Sequence, residues 1–254
     1  MKENNWFDPF YIQSHLSEEE SNIQKNVRDF CNNELKPTVV ERNRKNEFDQ
    51  SLYPKFGSLG VLGQTVKTHG GSGTSNLAYG LVAYEFEKID SSYRSSISVQ
   101  SSLVIHPINE FGSQEQKDKY LPQLIKGEKI GCFGLTESEA GSDPASMKTS
   151  FKKTKDGYIL NGSKNWITNA PIADIFIIWA IEENKDHKSI KGFIIEKNTE
   201  GLNTSTIENK TSLKISPTGQ IILNNVFIPN NLCLENTKGW KSVFSCLNKA
   251  RFGI

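Results

Sequence analysis

The segment at residues 134–143, Gly-Leu-Thr-Glu-Ser-Glu-Ala-Gly-Ser-Asp, gathers small and hydroxyl-bearing residues into one predicted turn. Its hydroxyl groups belong to Thr136, Ser138 and Ser142. Together with backbone N–H groups, they could donate hydrogen bonds to an anionic or electron-rich ligand. A turn of this composition is, by itself, more often only a turn. Its interpretation therefore depends on a second segment.

That second segment is residues 165–169, Asn-Trp-Ile-Thr-Asn, which places the indole of Trp166 two positions before the hydroxyl of Thr168. An indole can stack on one face of a planar ring while a hydroxyl bonds the edge of that ring. Taken alone, the run also fits a buried strand. The two segments in this order predict a flavin site, because a flavin has both a flat ring and an electron-rich edge.

The hydrophobic period changes once along the chain and separates two kinds of structure. Up to residue 129, apolar residues recur at helical spacing, and a Ser-Glu-Glu-Glu capping box at residues 17–20 precedes the first helix. After residue 129 the period is two, with polar turns between short runs, and residues 239–254 return to helical spacing. The predicted helices cover residues 17–35, 38–46, 51–59, 76–89, 95–111, 115–126 and 239–254, and the predicted strands cover 130–135, 158–160, 176–181, 192–196 and 221–227.

This order of elements predicts an α+β fold. We expect an N-terminal α-helical domain at residues 1–129, a β-barrel-like domain at 130–237, and only the start of a C-terminal helical domain at 238–254. Residues 70–73, Gly-Gly-Ser-Gly, should link two helices. Residues 182–191, rich in Lys, Glu and Asn, should form an exposed hairpin connection.

Composition limits the class of protein. The net charge of +1 implies no polyanionic partner and disfavours nucleic-acid binding. The four cysteines show neither metal-ligand nor redox-pair spacing, so we expect buried thiols and no metal site. No run approaches the about 18 apolar residues of a membrane helix. Residues 1–20 contain no Arg and five acidic residues, unlike a mitochondrial leader, so the expected location is the bacterial cytoplasm rather than the mitochondrial matrix.

The two ligand segments, together with residues 93–103 and 246–251, resemble the acyl-CoA dehydrogenase family, flavoproteins that desaturate acyl-CoA thioesters. The likeness runs from about residue 7 to residue 254, keeps the order of the family's blocks, and is closest to the glutaryl-CoA dehydrogenases. One departure is Ser138, where the family often has Pro; it loosens the turn but removes no donor. A second is that a long C-terminal helix should only be starting at residue 254, so the chain resembles a truncated member of the family.

The resemblance implies an FAD site. Backbone groups of residues 133–136 and the Thr136 hydroxyl would contact the N1/O2 side of the flavin, and Thr168 the N5/O4 side. Trp166 would lie against the ring, and Ser142 would bond the pyrophosphate beside the pantetheine of the substrate; alternatively, Ser142 and Asp143 serve only as a helix or turn cap. The cofactor-binding residues implied in this way are Phe133, Gly134, Leu135, Thr136, Gly141, Ser142, Trp166, Ile167 and Thr168.

The resemblance also implies a dicarboxylic acyl-CoA substrate. An Arg in an apolar acyl pocket is costly unless it meets an anion, and Arg94 would meet the distal carboxylate of a glutaryl group. Ser98, on the same helical face, would add a hydroxyl, with Ser95 close by and Glu87 a weaker candidate for tuning the pair. The alternative is an ordinary surface Arg at the start of a helix.

By the same resemblance, the last predicted helix would line the CoA channel. Its implied contacts are Phe244, Leu247, Asn248 and Arg251, with Arg251 suited to phosphate and carbonyl oxygens. Lys249 is expected to face solvent. The apolar stripe also fits plain helix packing, and both roles are compatible.

No catalytic residue is assigned within the sequence. The family abstracts the α-proton with a carboxylate, typically Glu, of the C-terminal helical domain, which would lie beyond residue 254. Glu137 and Glu139 are expected to be exposed turn charges and not the base. Residues 1–254 alone are therefore expected to hold flavin poorly and to show no dehydrogenation.

The predicted function is flavin-dependent oxidation and decarboxylation of glutaryl-CoA to crotonyl-CoA. Its expected partners are an electron-transfer flavoprotein as electron acceptor and further copies of the chain in a homotetramer. Two alternatives stay open: a generic short- or branched-chain acyl-CoA dehydrogenase in which Arg94 serves structure, and a catalytically inactive CoA- or partner-binding module.

Overall fold

The computed structural model describes residues 8–185 and 189–254. A helical N-terminal half is followed by a curled β-sheet and one further helix, which confirms the predicted fold class. The predicted divisions at residues 129 and 237 remain predictions. All four thiols are buried and free, as expected. Among the helices of the described residues, none is both long enough and apolar enough to span a membrane.

Four of the helices described in the N-terminal half, α1, α4, α5 and α7, begin at a side-chain cap. Helix α1 starts with the predicted capping box: the Ser17 hydroxyl accepts from the backbone N–H of Glu20, and the Glu20 carboxylate accepts from the backbone of Ser17. A π-helical turn, Cys31–Leu35, prolongs α1. The helices are α1 (Glu18–Phe30), α2 (Val39–Lys45), α3 (Leu52–Ser58), α4 (Asn76–Glu87), α5 (Ser91–Ser98), α6 (His106–Phe111) and α7 (Gln114–Ile125).

Helix α5 continues through a second π-helical turn, Val99–Ile105, directly into α6. The helical stretch therefore begins at Ser91, four residues earlier than predicted. Asp90 sets this start, because its side chain accepts from the backbone N–H of Ser92. The candidate substrate residues Arg94, Ser95 and Ser98 consequently all lie on α5.

The β half is one seven-stranded sheet. Its strands are β1 (Gly131–Gly134), β2 (Ser150–Lys153), β3 (Gly157–Thr168), β4 (Ile175–Glu182), β5 (Lys191–Glu196), β6 (Leu202–Thr206) and β7 (Thr218–Pro229). The spatial order is β1-β4-β2-β3-β7-β6, with β5 on β4. Strand β4 pairs in parallel with β1 and β2, and the other pairs are antiparallel. The antiparallel β4–β5 pair confirms the predicted hairpin, except for residues 186–188 at its tip, which lie outside the described residues.

Gln100 connects the helical half to the sheet. Its amide nitrogen donates to the carbonyl oxygens of Leu124 at 2.9 Å and Lys129 at 2.8 Å, and its amide oxygen accepts from the backbone N–H of Gly131 at 2.8 Å. These groups lie where the π-helical turn after α5, the end of α7 with the segment that follows it, and the start of β1 meet. Gln100 is fully buried, so these bonds face no competition from water.

Helix α8 (Trp240–Phe252) packs against the π-helical turn after α5, through buried Val243 and Cys246. Both residues belong to the same apolar core as the helices of the N-terminal half. The fold thus brings three elements together at one place: the middle of the long helix, the C-terminal ends of β1 and β3, and one face of α8.

Candidate functional site

A cleft of about 170 Å³ lies where these three elements meet. It brings together residues from the two ligand segments, which are far apart in sequence, and adds residues from the helices. The lining residues are Val99 and Leu103 after α5, Phe133, Leu135 and Thr136 at the end of β1, Trp166, Ile167 and Thr168 at the end of β3, and Leu247 on α8. Six of the nine predicted cofactor residues therefore share one cavity, and Gly134 lies between two of them on β1.

Trp166 is presented to this cleft in an unusual way. Its side chain is 57% exposed, and its backbone lies in the left-handed region with φ of 59°. A large aromatic residue rarely adopts that conformation. The ladder between β3 and β7 shifts register between Lys164 and Ile167, and the Asn165 side-chain oxygen accepts from the Trp166 backbone N–H at 3.0 Å. The bulge thus turns the indole out of the sheet and leaves a flat apolar face uncovered.

These residues fit a flavin ring. An exposed indole face would cover one side of a planar ligand. The half-buried residues Thr136, just after β1, and Thr168, at the end of β3, both line the same cleft. The backbone N–H of Asn165 donates to the Thr136 carbonyl at 2.8 Å, which joins the two ligand segments directly. An uncovered aromatic beside hydroxyl donors is a typical lining for a bound ring.

Beneath the cleft, Lys164 and Glu137 form a buried ion pair. The Lys164 ammonium donates to a Glu137 carboxylate oxygen at 2.8 Å and to the Leu135 carbonyl at 3.0 Å. Glu137 also accepts from the backbone N–H groups of Lys148 and Thr149. The prediction that Glu137 is an exposed turn charge is therefore wrong: the segment folds back so that its carboxylate meets Lys164. Glu139 is exposed, as predicted.

Burial and pairing have opposite effects on these two groups. Burial lowers the pKa of Lys164 to about 8, although the charge of Glu137 opposes the shift. Burial would raise the pKa of Glu137, but the Lys164 charge and the Lys148 N–H outweigh it and hold that pKa below its ordinary value. One feature of the sequence indicates that Lys164 is buried: on a strand of period two, Lys164 falls on the same face as Leu160, which is buried.

Gly141 and Ser142 are exposed and lie outside the lining of the cleft, on the turn that follows β1. Asp143 caps this turn, because its carboxylate accepts from the backbone N–H of Ala145 at 3.2 Å. The capping role considered for Asp143 is thus present. The Ser142 hydroxyl is open to solvent, and its contact with a pyrophosphate remains a prediction.

Arg94 is mostly buried, with 14% of its side chain exposed. Its Nε donates to Glu87 at 2.8 Å, which among the described residues uses one of the five guanidinium N–H groups, and the tuning role of Glu87 remains a prediction. On the same helix Ser98 is buried, and its hydroxyl accepts from the phenol of Tyr79 at 3.2 Å. Ser95 is partly buried.

On α8, Leu247 lines the cleft while Phe244, Asn248 and Arg251 are exposed. The Arg251 guanidinium donates to the Asn248 side chain at 3.1 Å, so these two predicted CoA contacts are neighbours. The expectation that Lys249 faces solvent is only partly met: its ammonium donates to Asn76 at the start of α4, and burial lowers its pKa.

Two family models match the chain. The N-terminal domain of acyl-CoA dehydrogenases matches residues 17–128, and the middle domain matches residues 132–226. A short-chain-specific acyl-CoA dehydrogenase of Clostridium acetobutylicum is 35% identical over 243 residues, which cover 94% of this chain and 64% of the relative. The chain thus spans slightly less than two thirds of the length of the curated relatives it matches.

Solved structures agree with the family models. A glutaryl-CoA dehydrogenase from Mycobacterium smegmatis, in complex with FADH2, has a TM-score of 0.93 and 40% identity, over 96% of this chain and 62% of that one. A structure described as an electron transferring flavoprotein of Acidaminococcus fermentans has a TM-score of 0.88 and 34% identity, over 94% of this chain and 63% of that one. The two matched domains, their order and the close structural likeness together show that this chain belongs to the acyl-CoA dehydrogenase family.

Proposed function

We propose that the protein is an FAD-dependent dehydrogenase of acyl-CoA thioesters and that its substrate is glutaryl-CoA. The assignment of FAD as the cofactor rests on the cleft in which an exposed indole and two threonines from separate segments converge. Bound there, FAD would supply a two-electron acceptor for oxidation of the substrate. Trp166 would cover one face of its ring, and Thr136 and Thr168 would donate to its edge.

The substrate assignment depends on Arg94. The Arg94 side chain is largely removed from water and holds Glu87 through Nε, so its remaining N–H groups can take a second carboxylate. Glutaryl-CoA carries such a carboxylate at its distal end. The likeness to a glutaryl-CoA dehydrogenase of 40% identity supports the same assignment.

The reaction is oxidation at the α and β carbons of the thioester, followed by loss of the distal carboxylate. A proton would leave Cα and a hydride would leave Cβ, so that one electron pair is removed; carbon dioxide would then leave the γ carbon, which would take up a proton to give crotonyl-CoA. We propose that the pair passes on to an electron-transfer flavoprotein. This partner is supported by a solved structure whose description names an electron transferring flavoprotein and which contains a chain similar to this one. The carboxylate that would take the α-proton is not assigned among the described residues. A homotetramer and the bacterial cytoplasm stay predictions.

A second candidate is a dehydrogenase of short, uncharged acyl-CoA thioesters. The 35% identity to a short-chain-specific relative favours it. In that case the Arg94–Glu87 pair would be structural, and the two candidates differ in one measurable quantity, the preference for a dicarboxylic over a monocarboxylic substrate.

Replacing Trp166 with alanine should weaken FAD retention by about tenfold, because loss of an aromatic stacking platform costs about 1–3 kcal/mol. The protein should be expressed with any sequence that its gene encodes after Ile254, and bound flavin measured by absorbance after gel filtration. Phe227→Ala removes another exposed aromatic side chain, on β7, and serves as the matched control. Full retention of yellow colour by the Trp166→Ala protein would contradict the cofactor assignment.

A further inference from the structure

Lys164 makes a contact that the role of an ion-pair partner does not explain. Besides Glu137, its ammonium donates at 3.0 Å to the carbonyl oxygen of Leu135. Leu135 and Thr136 both line the cleft, whereas Lys164 is completely buried behind them. A buried positive charge is therefore applied to a single peptide group, the one between Leu135 and Thr136.

The carbonyl of that peptide belongs to Leu135 and the N–H belongs to Thr136. In a trans peptide these two groups point in opposite directions, and no cis peptide bond occurs among residues 8–185 and 189–254. The Thr136 N–H thus points away from the ammonium. A hydrogen bond from a cation to the carbonyl draws electron density across the amide and makes its N–H a stronger donor. Because the contact is buried, water does not weaken the effect.

Glu137 keeps this arrangement in place. An ammonium buried without a partner would lose its proton or leave the site, and the Glu137 carboxylate at 2.8 Å favours the charged form. Glu137 is itself held by the backbone N–H groups of Lys148 and Thr149, so the whole assembly is fixed before any ligand enters. Preorganised dipoles of this kind are most effective where charge develops during a reaction.

We propose that Lys164 is a positioning residue that polarises the Leu135–Thr136 peptide, so that the Thr136 N–H stabilises the negative charge developing on the flavin edge upon reduction. This inference rests on the proposed FAD site and assigns to that site a determinant of its reduction potential. Lys164 would act through the peptide and without touching the cofactor.

The test is the midpoint potential of the bound flavin, measured in the holoenzyme by dye-coupled titration. Lys164→Met alone leaves the Glu137 carboxylate buried without a compensating positive charge and is expected to fold poorly. The double variant Lys164→Met/Glu137→Gln removes both charges at similar side-chain volume. We therefore expect it to fold like the unsubstituted protein, so that the two potentials can be compared. In that variant we expect reduced flavin to lose about tenfold in affinity relative to oxidised flavin, which is a shift of about 30 mV to more negative potential.

Glu85→Gln is the matched control. Glu85 is a buried carboxylate on α4 paired with Arg28 and Lys88, so its loss should lower stability while leaving the potential unchanged. An unchanged potential in the double variant would overturn the inference and leave Lys164 a structural role only; an equal shift in the Glu85→Gln protein would overturn it as well. If the unsubstituted protein takes up no FAD, the proposed function itself fails. That outcome is distinct from both results on the midpoint potential.

Discussion

Replacement of Arg94 by leucine should lower kcat/KM for glutaryl-CoA by about 100-fold, equivalent to about 2.7 kcal/mol of transition-state stabilisation. The estimate lies within the range of about 2–5 kcal/mol for truncating one partner of a buried, hydrogen-bonded charge pair. The Arg94 side chain is largely excluded from water, so in the variant a substrate carboxylate would lack the guanidinium that compensates its charge. The same change should alter kcat/KM for butyryl-CoA by no more than about threefold, because that substrate has no distal charge to satisfy.

The informative quantity is the ratio of the two kcat/KM values, measured on flavin-loaded protein. A ratio is insensitive to partial loss of folded enzyme, which would lower both values together. Arg44→Leu removes an exposed guanidinium on α2 and should leave the ratio unchanged. Equal losses for both substrates in the Arg94→Leu protein would assign Arg94 to structure and favour the short-chain alternative.

Tyr79 adds a contact to the proposed substrate residue Ser98 that no sequence pattern indicated. Its phenol donates to the Ser98 hydroxyl and lies 3.0 Å from the Ser102 hydroxyl, with all three groups buried. Since a phenol has one proton to give, Ser102 is the donor in the second contact, and Ser98 keeps its own proton for another acceptor. In the proposed function, the distal carboxylate of glutaryl-CoA would be such an acceptor.

The helices could be predicted because their caps and apolar spacing are local features. Ser17 and Glu20 form the predicted capping box, and the predicted helix at residues 76–89 matches α4 to within two residues. Strands β2 and β6 could not be predicted in this way. Their sequences, Ser-Phe-Lys-Lys and Leu-Asn-Thr-Ser-Thr, are short and mostly polar, and they become strands only because β3, β4 and β7 offer ladder partners.

In the candidate site, too, features within one segment could be predicted and features that depend on strand pairing could not. Residues such as Trp166 and Thr136 could be selected from side-chain chemistry within short segments. The left-handed backbone of Trp166 depends on a register shift against β7, and the ion pair of Lys164 joins residues 27 positions apart. Both depend on how strands meet, which spacing within one segment does not specify.

Gln100→Leu should lower the free energy of unfolding by about 3 kcal/mol, because each buried polar group left without a partner costs about 1–3 kcal/mol. The Leu124 carbonyl keeps a second bond, from the backbone N–H of Gly127, but the Lys129 carbonyl and the Gly131 N–H would lose the Gln100 bonds that satisfy them. Those two groups flank the start of β1, which leads directly into the cleft. Flavin retention should therefore fall together with stability, although Gln100 does not line the cavity.

Urea unfolding followed by circular dichroism measures this loss, with Gln123→Leu as the control. Gln123 lies on α7 and donates only to the carbonyl one turn earlier, at Lys119, so its replacement should change stability by less than about 0.5 kcal/mol. A loss below about 1 kcal/mol for Gln100→Leu would mean that water or a small rearrangement satisfies both freed groups. In that case the helical half and the sheet would be held together by apolar packing around Val104 and Ile130, and Gln100 would contribute only to the alignment of β1.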